Sequence, residues 1–422
     1  MDTTPSTRYH PRTVRSFNRT SRVLNFVGLA RIDLSEEGLL AEARRQTGLD
    51  RFGDQSFMPG LRVLLTAIDK EARLTPFGRL SARTHILRSL KNRLWANACF
   101  EANPEIRARK IVAPLVIIGL ARSGTTRLQR MVAADGRFQH LKAWEGFNPA
   151  PRPGLPDGGA AARRAEAIEF LGARRRLNPG ADAAHPMEAD WAEEEILLLN
   201  HSFCGISALG FYNIPAYYRW LLGHDRSDAY RYMADLMRLV SWSRGEPEFT
   251  PWVMKTPQHM LDLDVLLKVF PDARLVFIHR DPVKTVASTL SLGWHFAVQN
   301  TDLPCRGFIR DTWLDLCEQM ARRCMRGREA VPEGRQLDIY YADMNRDWRG
   351  VMRRIYGLCE LEFTSAAEQG MADWLMCSES ENRHGGHRYA FDDYGISAAE
   401  VDERMKFYRD EYAIPREGAA GA

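Results

Sequence analysis

The pattern of apolar residues predicts short buried strands that each lead through a turn into a helix. Residues 111–118 form a largely apolar run that ends in a β-branched stretch, and Gly119 closes it. Such a run is typical of a strand buried on both faces of a sheet. Beyond the turn, Leu128, Met131 and Val132 recur at helical spacing. This segment therefore predicts a strand, a turn and a helix, in that order.

The same order recurs twice further along the chain. Residues 252–254 predict a second strand, and Thr256, followed by proline, is a typical N-cap for the next helix. Residues 274–279 predict a third buried strand, and Asp281, again followed by proline, begins another helix. Alternating strands and helices imply parallel strands joined by right-handed crossovers. The predicted fold class is therefore α/β.

Helical spacing dominates the remaining chain and suggests three parts. Residues 1–33 are predicted to form a basic N-terminal arm, because arginines recur there every three or four positions. Residues 34–109 are predicted to be a helical N-terminal region. Residues 110–422 are predicted to form the α/β domain, with a helical insertion at about residues 160–245.

The turn after the first strand has the chemistry of an anion-binding loop. Residues 119–126 read Gly-Leu-Ala-Arg-Ser-Gly-Thr-Thr. A strand that turns through glycines into a helix presents unpaired N–H groups and the positive end of the helix dipole. The spacing is nearly that of a nucleotide P-loop, but Thr125 stands where the lysine would be. We therefore predict a P-loop-type parallel sheet whose loop binds an anion without ordinary triphosphate hydrolysis.

Three cationic residues follow predicted strands directly. They are Arg122, Lys255 and Arg280. Ligands of parallel sheets bind beyond the carboxyl ends of the strands. We therefore expect the three side chains to converge on one anionic ligand.

The loop resembles the 5′-phosphosulfate-binding loop of sulfotransferases that use 3′-phosphoadenosine 5′-phosphosulfate (PAPS), most of all the bacterial branch whose loops read R-S-G-T-T. The resemblance extends from about Leu39 to about Ile396. It implies transfer of a sulfuryl group from PAPS to an acceptor hydroxyl or amine. It assigns the 5′-phosphosulfate to a set of loop residues, namely Arg122, Ser123, Gly124, Thr125 and Thr126.

The resemblance also assigns roles later in the chain. Lys255 is expected to reach the sulfuryl group, and Arg280 with Ser288 is expected to hold the 3′-phosphate. Residues 340–344 resemble a tyrosine-acidic strand motif of these enzymes. Residues 383–389 resemble the C-terminal segment, although they depart from the R-K-G motif of the cytosolic members.

Glu145 is the predicted general base, because an acceptor hydroxyl is a poor nucleophile until its proton is removed. It follows the loop helix by one short connection, so its chain path returns toward the same sheet edge. In the tyrosyl-protein branch of sulfotransferases, a glutamate at a comparable point is the base. His140, His185 and His259 are the competing candidates, since histidine has a suitable pKa for this task.

Two other functions remain as alternatives at this stage. A nucleotide kinase or NTPase would need a P-loop lysine and magnesium ligands, and the lysine is missing. A non-catalytic nucleotide-binding scaffold would lack a base and an acceptor pocket. Binding of 3′,5′-adenosine bisphosphate compared with ATP distinguishes these alternatives.

Composition limits the cellular location and the binding partners that we expect. A net charge of +4 is too small to suggest nucleic-acid binding, and the seven dispersed cysteines predict reduced thiols in a cytoplasmic protein. No apolar run approaches the roughly 18 to 20 residues of a membrane span. We expect PAPS as co-substrate and no metal. The acceptor stays open among small molecules, lipids and carbohydrates, and so does the oligomeric state.

Overall fold

Four short parallel strands form the centre of this computed structural model, which describes residues 10–26, 32–302, 306–380 and 391–417. The strands pair in the order β2-β1-β3-β4. Their bounds are β1 Leu115–Ile118, β2 Val253–Lys255, β3 Arg274–His279 and β4 Gln336–Tyr340. The prediction of an α/β fold with a parallel sheet is confirmed.

The strand register aligns the carboxyl ends of β1, β2 and β3. Ile117 of β1 lies beside Lys255 of β2, and Ile118 lies beside Phe277 of β3. The residues that follow these strands therefore meet at one edge of the sheet, as expected for parallel pairing.

Each face of the sheet is covered by helices, because successive strand residues point to opposite sides. Val116 and Ile118 belong to the larger apolar core, whereas Leu115 and Ile117 belong to a second core on the other face. All four residues of β1 are buried. This double burial explains why the strand reads as a continuous apolar run rather than an alternating one.

Helices make up most of the rest of the described chain. Those before the sheet are α1 Arg12–Phe26, α2 Glu36–Thr47, α3 Met58–Lys70, α4 Pro76–Ala102 and α5 Glu105–Ala108. Those between β1 and β2 are α6 Thr125–Ala133, α7 Ala143–Phe147, α8 Ala160–Leu177, α9 Pro179–Ala184, α10 Ile196–Leu199, α11 Ser207–Phe211, α12 Pro215–Gly223 and α13 Ser227–Arg244.

The remaining helices follow β2. They are α14 Leu263–Val269, α15 Pro282–Ala297, α16 Arg306–Arg328, α17 Tyr341–Arg346, α18 Trp348–Leu358, α19 Ser365–Ser380, α20 Ala398–Arg404 and α21 Lys406–Glu411. Short 3₁₀ helices span Pro156–Gly159, Asn200–Ser202, Pro257–Met260, Glu333–Arg335 and Phe391–Tyr394. Within the described residues, every helix is too short or too polar to cross a lipid bilayer.

The long helix α4 is the element that carries the N-terminal helices onto the sheet domain. Thr75 caps it by accepting a hydrogen bond from the N–H of Gly78, and Pro76 occupies its first turn. Buried α4 residues such as Leu90 and Leu94 belong to the same core as Val116 of β1. The division of the chain at residues 33 and 109 stays a prediction.

We expect a methyl group at Gly119 to destabilise the protein. A Cβ atom there would lie 2.7 Å from Ile278 Cγ2 and 2.9 Å from the Ile278 carbonyl oxygen. Gly119→Ala should therefore lower the free energy of unfolding by about 1–3 kcal/mol, as overpacking does. Urea denaturation measures this. Gly136→Ala is the matched control, because Gly136 is exposed and has no neighbour within 4 Å of the added atom; equal losses in both variants would contradict the packing argument.

Candidate active site

The loop between β1 and α6 has a strained backbone. Arg122 has a φ of 70° and Gly124 a φ of 95°, both in the left-handed region. A Cβ at position 124 would lie 2.7 Å from a ring carbon of Tyr341, so only glycine fits. A non-glycine residue in this region costs free energy and is often found at functional sites. The loop ends where α6 begins at Thr125.

The Arg122 side chain lies across the sheet edge, between α9 and α15. Its Nε donates to Ser288 Oγ at 2.9 Å, and its Nη1 donates to the Ala184 carbonyl at 2.8 Å. Ser288 therefore contacts Arg122, whereas the sequence analysis coupled it to Arg280. Ser123 has a structural contact here, since its hydroxyl donates to the Leu120 carbonyl.

Lys255 is the buried cation of the site, with a side chain only 1% exposed. Its Nζ donates to Thr126 Oγ1 at 3.1 Å and to Glu194 Oε1 at 2.5 Å. The lysine at the end of β2 thus touches the helix N-terminus that follows β1. Glu194 also accepts from the Thr256 hydroxyl at 3.3 Å.

The acidic run 193–195 packs against other segments and does not form a solvated helix face. Glu195 is fully buried, and its Oε2 accepts the backbone N–H of Lys255 at 2.7 Å. Burial raises the pKa of Glu195 to about 8. Glu193 is buried as well, and although burial alone would raise its pKa, the neighbouring His185 and Arg130 hold that pKa well below its usual range.

Arg280 is held by the C-terminal segment. Its Nε and Nη2 donate to the two carboxylate oxygens of Glu417 at 2.7 and 3.0 Å. Its Nη1 donates to the Arg122 carbonyl, and its guanidinium lies 4.0 Å from the Tyr341 ring centroid. Arg280 and Arg122 therefore lie side by side, and a carboxylate occupies the fork of Arg280.

A cavity of about 470 Å³ opens beside this cluster. Its size is in the usual range for small-molecule sites. Ala121 of the loop, His185, Glu194 and Pro257 line it on the side of the cluster. Most of the wall is aromatic and aliphatic, and its large rings include Phe77, Phe147, Phe170, Phe211, Phe296 and Trp313.

Glu145 lies apart from the lining of this cavity. Its side chain is 2% exposed, and its carboxylate oxygens accept from the Arg244 guanidinium and from the backbone N–H of Lys142. It completes a capping box at the start of α7. These contacts give Glu145 a structural task, and its assignment as the base stays a prediction.

The three competing histidines differ in their access to the cavity. Burial lowers the pKa of both His140 and His259 to about 4. The ring of His259 contacts the Tyr230 hydroxyl at 3.0 Å and belongs to the packed interior. His185 lines the cavity and contacts Glu193 at 3.3 Å. Of the three, His185 is the histidine that an acceptor in the cavity would meet.

The structure brings together Arg122, Thr126, Lys255, Arg280 and Ser288. The sequence analysis did not identify Glu194, Glu195 and Glu417 as site residues. The spacing of the acidic run gave no signal, because its burial depends on chain segments distant in sequence. Residues 383–389 lie outside the described residues. Among the described residues, no group of three or more histidine, cysteine or acidic side chains is arranged to hold a metal ion.

Comparison with known proteins gives a family match. The model of the sulfotransferase family matches residues 114–365, which is more than half of the chain. The omega-hydroxy-beta-dihydromenaquinone-9 sulfotransferase Stf3 of Mycobacterium bovis is 26% identical over 281 residues. That alignment covers 62% of this chain and 67% of the relative. The protein of the same name from Mycobacterium tuberculosis matches equally.

Two solved structures are similar over nearly their full length. Sulfotransferase STF1 of Mycobacterium tuberculosis has a TM-score of 0.77 and 28% identity, covering 89% of this chain and 99% of its own. Sulfotransferase STF9 of Mycobacterium avium has a TM-score of 0.79 and 27% identity, covering 92% and 98%. Both similarities cover too much of the chain to be confined to the sheet and the segments that follow it, so they extend into the region of the preceding helices.

The raised pKa of Glu195 gives a pH-dependent stability. The folded protein keeps the proton up to about pH 8, whereas the unfolded chain releases it near the ordinary value of 4.5. The stability that Glu195 contributes is therefore fully present below pH 4.5, and it is lost as the pH rises towards 8. We expect the melting temperature of Glu195→Gln to fall less steeply over this range than that of the wild type.

The exposed Glu329 provides a matched control for that measurement. Glu329→Gln should follow the wild-type pH profile. A Glu195→Gln profile as steep as the wild type would show that Glu195 is ionised in the folded protein.

Proposed function

The chain belongs to the sulfotransferase family, and from this premise we propose that it transfers a sulfuryl group from PAPS to the hydroxyl of an elongated, apolar acceptor. The family match confirms the predicted enzyme class. It favours sulfuryl transfer over the kinase, NTPase and scaffold alternatives. The cytoplasmic location stays a prediction from the dispersed cysteines.

One observation carries the proposal. The buried Lys255, the hydroxyl of Thr126 and the carboxylate of Glu194 are in direct contact, and Glu194 also lines the apolar cavity. Cationic and hydroxyl groups on one side suit an anionic donor, and the apolar wall on the other side suits a lipid-like acceptor. A group that touches both sides is where the two substrates would react.

The donor is proposed to lie on the loop and on the two arginines. The N–H groups and hydroxyls of residues 122–126 would hold the 5′-phosphosulfate at the start of α6. Arg280 would hold the 3′-phosphate in place of the Glu417 carboxylate. Ser288 is linked to Arg280 by Arg122, which donates to the Ser288 hydroxyl and whose carbonyl accepts from Arg280. A guanidinium fork binds phosphate and carboxylate in the same bidentate manner, which supports this exchange.

The acceptor class follows from the cavity. Its wall offers aromatic and aliphatic contacts along most of its length, so burial of an apolar chain would supply the binding free energy. The similar protein from Mycobacterium bovis is named for an ω-hydroxylated dihydromenaquinone. We propose a hydroxylated acceptor of comparable lipid-like character for this chain.

Glu194 is the base that we propose from the geometry. Its carboxylate would take the proton of the acceptor hydroxyl, while the acceptor oxygen bonds to sulfur and the sulfur–oxygen bond to the phosphate breaks. Lys255 and Arg122 would stabilise the negative charge on the departing 3′-phosphoadenosine 5′-phosphate. Because these side chains supply positive charge, we expect the reaction to proceed without a metal.

The role of Arg280 predicts a preference for ligands with a 3′-phosphate. Wild-type protein should bind 3′,5′-adenosine bisphosphate at least about tenfold more tightly than adenosine 5′-phosphate, as a charge-assisted hydrogen bond provides. Arg280→Ala should lose this preference, whereas Glu417→Gln should strengthen it by removing the competing carboxylate. Isothermal titration calorimetry measures the affinity for both ligands in the wild type and in the two variants. A preference that survives in Arg280→Ala would place the 3′-phosphate elsewhere.

The function itself is tested by incubating the protein with PAPS and 1-alkanols of about ten to sixteen carbons, lengths that suit a cavity of this size. Mass spectrometry should detect sulfate addition. Glu194→Gln should lower kcat by about 10² or more, the usual contribution of a general base, with donor affinity retained. Glu145→Gln should keep most of its kcat but lose stability, because the partly buried Arg244 loses its charged partner.

The paired variants decide between the two candidate bases. An active Glu194→Gln beside an inactive but folded Glu145→Gln would assign the base to Glu145, as the sequence analysis predicts. If both remain active, His185→Ala is the next variant to measure. Addition of EDTA should leave the wild-type rate unchanged.

A further inference from the structure

The apolar cavity contains an arginine whose guanidinium has no hydrogen-bonding partner within the described part of the chain. Arg88 of α4 lines the cavity, and its guanidinium lies 4.4 Å from the ring centroid of Phe170 and 5.0 Å from that of Phe147. Burial lowers its pKa to about 10, so the group is still charged at neutral pH. Among the described residues, none accepts a hydrogen bond from this guanidinium, and its charge is left unneutralised at close range.

Other enclosed arginines of the described chain all have partners. Arg93 donates to the carbonyls of Asp54 and His201. Arg163 donates to two backbone carbonyls, and so does Arg174, which lines the same cavity. Buried charges are normally paired in this way because an unpaired one is costly. Arg88 therefore differs from its neighbours in having an open guanidinium.

The carboxylate whose charge acts on Arg88 is already paired with another arginine. Glu166 acts on Arg88 only through its charge. Both of its carboxylate oxygens accept from Arg152, at 2.7 and 2.6 Å. The missing counterion of Arg88 is therefore not supplied by this side chain.

A second polar group stands beside Arg88. His85 precedes it by three residues on α4, so both lie on the same face of the helix, and both line the cavity. The His85 ring packs against Phe170 and Phe211. Burial lowers the pKa of His85 to about 3, so the ring is neutral and offers one N–H donor. Two donors on one helix face thus point to an oxygen-bearing ligand group.

We propose that Arg88, assisted by His85, binds a carboxylate at one end of an elongated acceptor whose hydroxyl end reaches Lys255 and Glu194. The chemical class of acceptor is then an ω-hydroxy fatty acid or a similar hydroxylated amphiphilic carboxylate. This rests on the proposed function, because the hydroxyl end is defined by the sulfuryl-transfer site. The planar guanidinium fork matches a carboxylate in geometry and in charge.

The apolar wall between the two ends accounts for the chain of such an acceptor. The aromatic residues beside Arg88 continue along the cavity, since Phe211 contacts both His85 and Phe296. Methylene groups packed on these rings would contribute hydrophobic free energy, whereas the two polar ends would fix the direction of the chain. Arg88 is thus a specificity residue and takes no part in the chemical step.

The test compares three acceptors of equal chain length. They are an ω-hydroxy fatty acid, its methyl ester and the corresponding 1-alkanol, each assayed with PAPS for sulfate addition. Wild-type enzyme should show a kcat/KM at least about tenfold higher for the acid than for the ester, the effect of one charge-assisted hydrogen bond. Arg88→Met should abolish this preference, so that the acid and its ester are sulfated with equal kcat/KM. Arg88→Lys should restore part of it.

Arg83→Met is the matched control, because it removes one positive charge from the same helix at a position outside the cavity lining. It should keep the wild-type preference. If Arg88→Met does not fold, the comparison of acid with ester in the wild type still decides. Equal rates for the acid and its ester in the wild type would overturn the carboxylate site.

A binding measurement separates this inference from the proposed function. A saturated fatty acid without a hydroxyl group should bind the wild type at least about tenfold more tightly than it binds Arg88→Met, whether or not sulfate is transferred. If this holds while no acceptor is sulfated, the carboxylate site stands and the proposed function fails. If 1-alkanols are sulfated while the fatty acid binds both proteins equally, the proposed function stands and the carboxylate site fails.

Discussion

The burial of the Lys255 charge is the constraint on which the active site depends. The lysine at the end of the edge strand β2 is removed from water, so its ammonium group requires a close anion. Glu194 supplies that anion, and Glu195 binds the backbone of the same lysine. These contacts hold residues 193–195 against the sheet edge. Glu193 and Glu194 also line the cavity, so in the proposed reaction the carboxylate that neutralises the lysine lies where the acceptor would meet the donor.

The strands and the loop were predictable from sequence because their signals are local. A β-branched run, two glycines and a helix start lie within a few positions, and the edge that gathers Arg122, Lys255 and Arg280 follows from parallel pairing. Glu194 and Arg88 were not predictable in this way. Each looks like an ordinary helix-associated charge in sequence, and its importance depends on side chains from segments that only the folded chain brings near. Burial of a charge is a tertiary property.

The interpretation of Glu145 illustrates the same limit. The segment before it pairs with Trp252, just ahead of β2, and Arg244 from the distant helix α13 binds its carboxylate. Glu145 and Glu194 both pair with a cationic side chain, so the pairing alone does not distinguish them as bases. A base that accepts a proton in every turnover requires contact with the acceptor. Glu194 satisfies this requirement because it touches both Lys255 and the cavity.

The ion pairs at the sheet edge bear on how the proposed donor would bind. Lys255 is paired with Glu194, and Arg280 is paired with Glu417. In the proposed reaction, the 3′-phosphate would compete with a carboxylate for the Arg280 guanidinium, because both anions fit its fork. Glu417 is the group that can leave most easily, because it belongs to the C-terminal segment and is partly exposed, whereas Glu194 is fixed between Lys255 and Thr256. Release of Glu417 would free Arg280 and keep Glu194 in place to take the acceptor proton.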